Sequence, residues 1–299
     1  MAANAIDQLT KIGIALVFFL HGAKLHPKVV IGGLGHWRLY LAIFASTFLL
    51  FPLLGLALKP LALTVLSPEL YLGLLFLCVV PSTVQSSITF TAIAGGNVPA
   101  AVCSASASNL AGVFLTPLLI SLVLNKPGAI SPGVVESIVL QILVPFVVGQ
   151  FAQRWIGSWL ARHKKLTGTA DRGSLLLIVY SAFSAATVNG IWHRFEAHHL
   201  FAVALMDAIL LAVVLVITMY GSRLVGFSRE DEITTVFCGS NKSLGTGIPI
   251  ANIVFAGSAV GTIVLPIMLF HQIQLMVCAI LARRYLEKAE QAAVVESRQ

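Results

Sequence analysis

Charge is what this sequence has least of. Only 10% of its 299 residues are Asp, Glu, Lys or Arg, against about 25% in ordinary soluble domains. The scarcity comes in blocks. Between Glu69 and Lys126 lie 56 residues without a charged side chain, and between Glu232 and Arg283 lie 50 whose single charge is Lys242. Each block holds two bilayer crossings at roughly 20 apolar residues per helix, and no soluble core absorbs so much continuous apolar sequence. Cysteine is scarce as well. Cys78, Cys103, Cys238 and Cys278 all fall inside apolar segments with no metal-ligand spacing, which argues against a disulfide framework and for buried structural thiols. The residues offer no nucleophile–base pair and no metal centre, so an enzyme, a resident metal and a cofactor are not expected. The net charge of +7 is no nucleic-acid footprint, because its Lys and Arg residues sit in short loops and tails. The first apolar stretch, Ile12 to Leu20, is not followed by a small-residue cleavage site, so a cleaved signal peptide is not expected either.

What the sequence has in abundance is hydrophobicity: 58% of residues are apolar and the mean hydropathy is +0.92. Apolar runs bounded by Gly, Pro and charge predict nine transmembrane helices, over approximately 3–22, 39–58, 70–93, 98–124, 133–153, 174–192, 199–221, 233–255 and 259–282. The fold class is therefore an all-α polytopic membrane protein, integral to the cell inner or plasma membrane, with the lipid bilayer as its first partner. Of the 19 Lys and Arg residues, fourteen fall in alternate loops and the C-terminal tail (283–299). Lys59, Lys126 and Arg194 lie on the opposite side, and Lys11 and Lys242 lie inside spans. That asymmetry places the C-terminus in the cytoplasm. Nine spans then put the N-terminus outside, although nothing near it looks like a translocated signal. A further upstream helix would give ten spans with both ends cytoplasmic, so the chain is expected to be a ten-helix design lacking its first helix.

The third and eighth spans are interrupted. The third carries Pro81-Ser82-Thr83-Val84-Gln85-Ser86-Ser87 at its middle and ends in Ala94-Gly95-Gly96-Asn97. The eighth carries Cys238-Gly239-Ser240-Asn241-Lys242-Ser243-Leu244-Gly245-Thr246-Gly247-Ile248-Pro249, followed by Ala256-Gly257. Proline removes a helical hydrogen bond and clashes with the carbonyl one turn back. In lipid the freed backbone must be satisfied by side chains, water or a solute, and the clustered Ser, Thr, Gln and Asn residues can do that. Five spans separate the two segments, so they run in opposite senses. Two broken helices at matching places of inverted halves point to a midplane binding site. The alternative is that both are small-residue packing faces.

Polar residues within the spans complete the candidate site. Lys242 lies mid-span, where an uncompensated charge costs about 2.5–3.5 kcal/mol. It can pair with Asp207 of the seventh span, bind an anionic solute, stand where a coupling cation would sit, or release and rebind a proton. Asp207 can instead snorkel to the interface. His271 of the ninth span either lines a cavity or bonds helix to helix. In the fourth span Ser104 and Ser108 share a face, with Asn109 close to it. The candidate solute- or ion-binding set is therefore Ser82, Thr83, Gln85, Ser86, Ser87, Ser104, Ser108, Asn109, Ser240, Asn241, Lys242, Ser243 and His271.

These residues carry a resemblance. The run from Pro81-Ser82 through Gly95-Gly96-Asn97 to Gly112-Val113-Phe114-Leu115-Thr116-Pro117 resembles the bile acid:sodium symporter superfamily. The stretch from Cys238 to Leu244, with Gly247-Ile248-Pro249, Ile253-Val254-Phe255-Ala256-Gly257 and Pro266 to His271, is similar to its SBF-like branch, which includes the most divergent of the vertebrate bile-acid carriers. The resemblance covers nearly the whole chain from that family's second helix. It implies ten helices in two inverted five-helix repeats and two broken helices crossing in a core. It assigns spans 3–22, 133–153 and 174–192 to a panel and the other six to the core. It also implies sodium-driven uptake of an organic anion by alternating access. The chain departs from that pattern at the sodium sites. A Ser-Asn pair becomes Ser87 and Ile88, and a Glu, Gln and Asn set becomes Phe237, Asn241 and Lys242. A lost carboxylate and a gained ammonium disfavour sodium, so the coupling ion is expected to be a proton, sodium or none. The expected function is a secondary carrier for a small organic anion or metabolite. The competing expectation is a non-transporting membrane regulator that keeps the transporter fold.

Overall fold

A computed structural model describes residues 2–24, 36–124, 132–188, 197–255 and 260–296. Among them there are helices and turns and no strand. In chain order they are α1 (Ala2–Lys24), α2 (Trp37–Ala57), α3 (Lys59–Val65), α4 (Pro68–Val79), α5 (Val84–Ile93), α6 (Val98–Leu124), α7 (132–162), α8 (Lys164–Val188), α9 (Ala197–Val225), α10 (Arg229–Ser240), α11 (Leu244–Val254) and α12 (Val260–Glu296). Every apolar run that predicts a span has a helix on it. Among the described residues, five helices are long and apolar enough to cross a membrane, or six if the bent pair α4–α5 is one span. The stretch between the fifth and sixth predicted spans is not a loop: α7 runs on to Arg162 and α8 begins at Lys164. Arg154, Arg162 and their neighbours end the apolar pattern without ending the helix, because charged residues are good helix formers in water. The Ala256-Gly257 turn lies outside the described residues.

Prolines shape the helices that matter for the site. Pro81 follows α4, and the chain turns by 62° before α5 begins. In α2 a π-helical turn, Ser46–Leu50, precedes Phe51-Pro52, and in α7 another, Val139–Leu143, precedes Val144-Pro145. The Phe51 N–H bonds back five residues to the Ser46 carbonyl. The Thr47 carbonyl has then lost Phe51 as its partner, and the next residue, Pro52, has no N–H to give. One buried acceptor is left over in the middle of α2.

α1 lies along α7 and α8, and one continuous core joins residues of these helices to those of α2, α4, α9, α11 and α12, with Phe18, Phe51, Phe76, Leu70, Leu74 and Phe270 wholly buried. Burying each large apolar side chain gives roughly 1.5–3 kcal/mol relative to water; within the bilayer the same contacts act through dispersion and close fit. α1 and α7 meet backbone to backbone at two glycines. A Cβ added to Gly22 would fall on the Phe146 carbonyl oxygen, and one added to Gly149 on the Phe19 carbonyl oxygen.

Both broken pairs start alike. Ser67 caps α4 by accepting from the Leu70 N–H (3.3 Å), and Ser228 caps α10 by accepting from the Asp231 N–H (3.2 Å). The α4 and α10 halves are each 12 residues long, followed by halves of 10 and 11 residues in α5 and α11. At the end of the bundle where α10 begins, Arg223 donates two hydrogen bonds of 2.9 Å to the Glu232 carboxylate, which also accepts from the Tyr285 hydroxyl at 3.0 Å. Asn97, after the left-handed Gly95 (φ 76°), donates its amide to Asp231 at 2.9 Å.

Candidate transport site

The two chain breaks, 80–83 and 241–243, meet back to back. Ser243 N–H donates to the Pro81 carbonyl (2.8 Å), Thr83 Oγ1 donates to the Lys242 carbonyl, and Ser82 Oγ donates to the Cys238 carbonyl (2.7 Å). Deeper in the contact Ser87 Oγ donates to the Phe237 carbonyl at 3.3 Å, and the Asn241 amide donates to Ser87 Oγ at 3.3 Å. Each break therefore supplies the donors that the other lacks.

A long helix backs each break with an amide. On α6, Ser108 Oγ accepts from the Ser82 N–H (3.1 Å), and Asn109 Nδ2 donates to the Ser82 carbonyl (2.7 Å). On α12, Gln274 holds the equivalent backbone groups: Oε1 accepts from the Lys242 N–H (2.8 Å) and Nε2 donates to the Lys242 carbonyl (3.0 Å). Gln274 also donates to His271 Nδ1 at 2.9 Å. The Asn109 carbonyl oxygen accepts from Thr246 Oγ1 (2.8 Å), tying α6 to α11.

Lys242 is wholly buried, at 0% exposure. Its Nζ donates to three backbone carbonyls, Thr47 at 2.8 Å, Cys78 at 2.9 Å and Val80 at 2.9 Å. An ammonium has three hydrogens, so its hydrogen-bonding capacity is filled. All three acceptors are orphans for stated reasons. Thr47 lost its donors to the π-helical turn and Pro52. Cys78 and Val80 belong to the C-terminal end of α4, where carbonyls have no helical partner and the helix dipole is negative. Nζ also lies 4.1 Å from the centroid of the Phe51 ring, a favourable cation–π position. Lys242 and Asp207 do not pair. Asp207 is also wholly buried, and neither carboxyl oxygen has a hydrogen-bond partner. The expectation of an ion pair overlooked that backbone dipoles alone can hold an ammonium.

A cavity of about 580 Å³ lies on the other face of the crossing. Thr83, Val84 and Gln85 bring the N-terminus of α5 to it, and Ser243, Leu244 and Gly245 bring that of α11. Asn109 and Ser106 of α6, His271 of α12, His21 and Lys24 of α1, and Phe146 of α7 complete much of the wall. No Asp or Glu is among its described lining residues.

The predicted residues thus sort by position. Ser82, Ser86, Ser87, Ser108, Asn241 and Lys242 build the crossing, while Thr83, Gln85, Asn109, Ser243 and His271 reach the cavity. Ser104 and Ser240 do neither: each hydroxyl donates to its own helix, to the Ala101 carbonyl at 3.2 Å and the Val236 carbonyl at 2.6 Å. Gln274, Thr246, His21 and Lys24 belong to the arrangement and were not in the predicted set. Gln274 had a readable signal, since it stands three residues after His271 on the same helix face. For a metal, the described residues hold no cluster of three or more His, Cys, Asp or Glu side chains.

The chain is 56% identical over 293 residues to an uncharacterised protein of Pseudomonas aeruginosa, covering 97% of this chain and 88% of that one. It is 53% identical over 286 residues to the symporter-named protein YfeH of Escherichia coli, covering 95% and 86%. It is 29% identical over 277 residues to sodium/bile acid cotransporter 7 of Xenopus tropicalis, covering 91% and 81%. The model of the SBF-like CPA transporter family matches residues 2–287. With a crossing of broken helices at its centre and that match over nearly its whole length, the chain belongs to the SBF-like CPA transporter family, and is an integral multi-pass membrane protein of the transporter class.

Proposed function

We propose that this protein is a secondary carrier for a small organic anion or metabolite and works by alternating access. The observation that carries the reading is the cavity, where two half-helix N-termini open together and no described lining residue is acidic. Each N-terminus carries about half a positive charge and N–H groups that lack helical partners, although Ser243 Oγ caps the Thr246 N–H of α11, an arrangement that favours an anionic group. Lys24, His21 and His271 add cationic or hydrogen-bonding side chains around it. The matching caps and half-helix lengths of α4–α5 and α10–α11 support two inverted repeats. On that reading α1, α7 and α8 form a panel, and the cavity lies between it and a core containing both broken pairs. The cytoplasmic side of the C-terminus follows from the Lys and Arg asymmetry. Sodium is not required, because the Lys242 ammonium already sits among carbonyls at the crossing, where a monovalent cation would be held.

Uptake into proteoliposomes across a panel of radiolabelled organic anions tests the carrier reading. At least one anion should enter with saturable kinetics, and Ser106→Trp, which fills the cavity from α6, should abolish that entry while the protein stays folded. Saturable uptake that survives Ser106→Trp would put the solute elsewhere. No uptake of any anion by folded protein would favour a membrane regulator that keeps the transporter fold.

A further inference from the structure

Among the described residues Asp207 is a buried acid whose place in the membrane the carrier reading leaves unexplained. It lies eleven residues into α9 by sequence position, at 0% exposure, with both carboxyl oxygens lacking a hydrogen-bond partner. The Phe270 backbone amide of α12 is within electrostatic reach but outside hydrogen-bonding geometry. An ionised carboxylate so placed would have a desolvation cost far larger than any single interaction in the fold, and buried carboxyls avoid it by taking up a proton.

Among the described residues the surroundings supply no counter-charge. α9 packs against α2, α3, α10 and α12. On α3 the only titratable group is Lys59, which is exposed. Glu232 of α10 bonds Tyr285 of α12 and Arg223, which lies sixteen residues and about 24 Å further along α9 at 1.5 Å per residue, and Arg229 of α10 bonds the Tyr285 carbonyl. Arg38 and Tyr40 stand at the first turn of α2, where Arg38 bonds the Val225 carbonyl at that same end. His271 is engaged by Gln274, and Lys242 by its three carbonyls. Cys78 of α4 is the titratable side chain within electrostatic range. The Cys78 carbonyl is one of the three that hold Lys242, and Phe270 touches Phe51 ring to ring at 6.0 Å. Asp207 is therefore within electrostatic reach of two residues, Cys78 and Phe270, that form or flank the Lys242 cage.

We infer that Asp207 is a proton-binding site: it holds a proton as the neutral acid in the conformation described, and gives it up when the helices around it rearrange. The bond formed and broken is the O–H of the carboxyl, and the proton passes to water on one side and is taken from water on the other. The coupling half of this inference rests on the carrier reading; the proton-holding half does not.

Infrared difference spectroscopy of the purified full chain in lipid nanodiscs reads the side chain directly. At neutral pH the wild type should show the carbonyl stretch of a carboxylic acid at the high-frequency end of its range, typical of an acid without hydrogen bonds, and Asp207→Asn should lack it. If Asp207→Asn does not fold, Asp207→Glu serves instead, and the band should move in frequency. No such band in the wild type, or a band unchanged in either variant, overturns the inference. In proteoliposomes an imposed pH gradient should concentrate the transported anion with wild type and not with Asp207→Asn; equal accumulation by both overturns the coupling. Absence of any anion uptake counts against the carrier and leaves the infrared band to decide the proton site.

Discussion

Removing the Lys242 side chain is expected to abolish solute accumulation and to create a sodium response that the wild type lacks. In Lys242→Ala the carbonyls of Thr47, Cys78 and Val80 lose their donor together. Each unsatisfied buried acceptor costs about 1–3 kcal/mol, and the vacated space is lined by three oxygens, two of them at the negative end of α4. A small cation fits that space by charge and by ligand type, since hard alkali cations take carbonyl oxygens. The melting temperature of Lys242→Ala in detergent should rise on replacing choline with sodium, and that of the wild type should not. Lys242→Met, which fills the space with an apolar chain, should be destabilised without a sodium response. Sodium stabilisation of the wild type, or full activity of Lys242→Ala in sodium-free medium, would overturn the assignment of Lys242 as a tethered cation.

The second large effect is expected at the α1–α7 contact. A methyl group at Gly149 or Gly22 meets a backbone carbonyl, which cannot turn aside as a side chain can. Overpacking of this kind costs about 1–3 kcal/mol per site, so Gly149→Ala should lower the melting temperature clearly and Gly149→Val should prevent stable insertion of α1 beside α7. Gly173→Ala and Gly221→Ala are the controls. Nothing lies within 4 Å of a Cβ at either position, and replacing a helical glycine by alanine gains about 1 kcal/mol. Both controls should melt at or above the wild type. The cavity gives a second readout, because Phe146 lines it and its carbonyl is the group that Gly22 approaches. Uptake by Gly22→Ala should therefore fall even where folded protein is recovered.

The parts of this fold that were legible in the sequence are those written in side chains. Pro81, the polar runs at both breaks and the mid-span lysine locate the two chain breaks from the sequence. Gly, Pro and charged residues bound the apolar runs that became helices, though after 153 the charge ends the run and not the helix. What could not be read was the partner of Lys242. A search for a counter-charge finds Asp207, because opposite charges are visible in a sequence and backbone carbonyls are not. The acceptors became available through geometry, by a π-helical turn before Pro52 and a helix terminus before Pro81. What Gln274 holds was hidden for a related reason, since its partner is the backbone of Lys242 in the chain break 32 residues earlier. Ser104 and Ser240 show the opposite failure. They share the composition of the site but turn their hydroxyls back onto their own helices, as serines in apolar helices commonly do.

The π-helical turn in α2 also has a consequence for inheritance. Pro52 is what strands the Thr47 carbonyl, and Lys242, 190 positions later by residue number, is what satisfies it. Either residue without the other is a defect: a proline alone leaves a bare acceptor in the bilayer, and a lysine alone has one anchor fewer. Descent should therefore treat the two as a unit. Across an alignment of the family, the proline and the lysine are expected to appear and vanish together, and lineages that lost both are the ones in which a free cation would have regained the place. Frequent members keeping the lysine while lacking the proline would break that linkage.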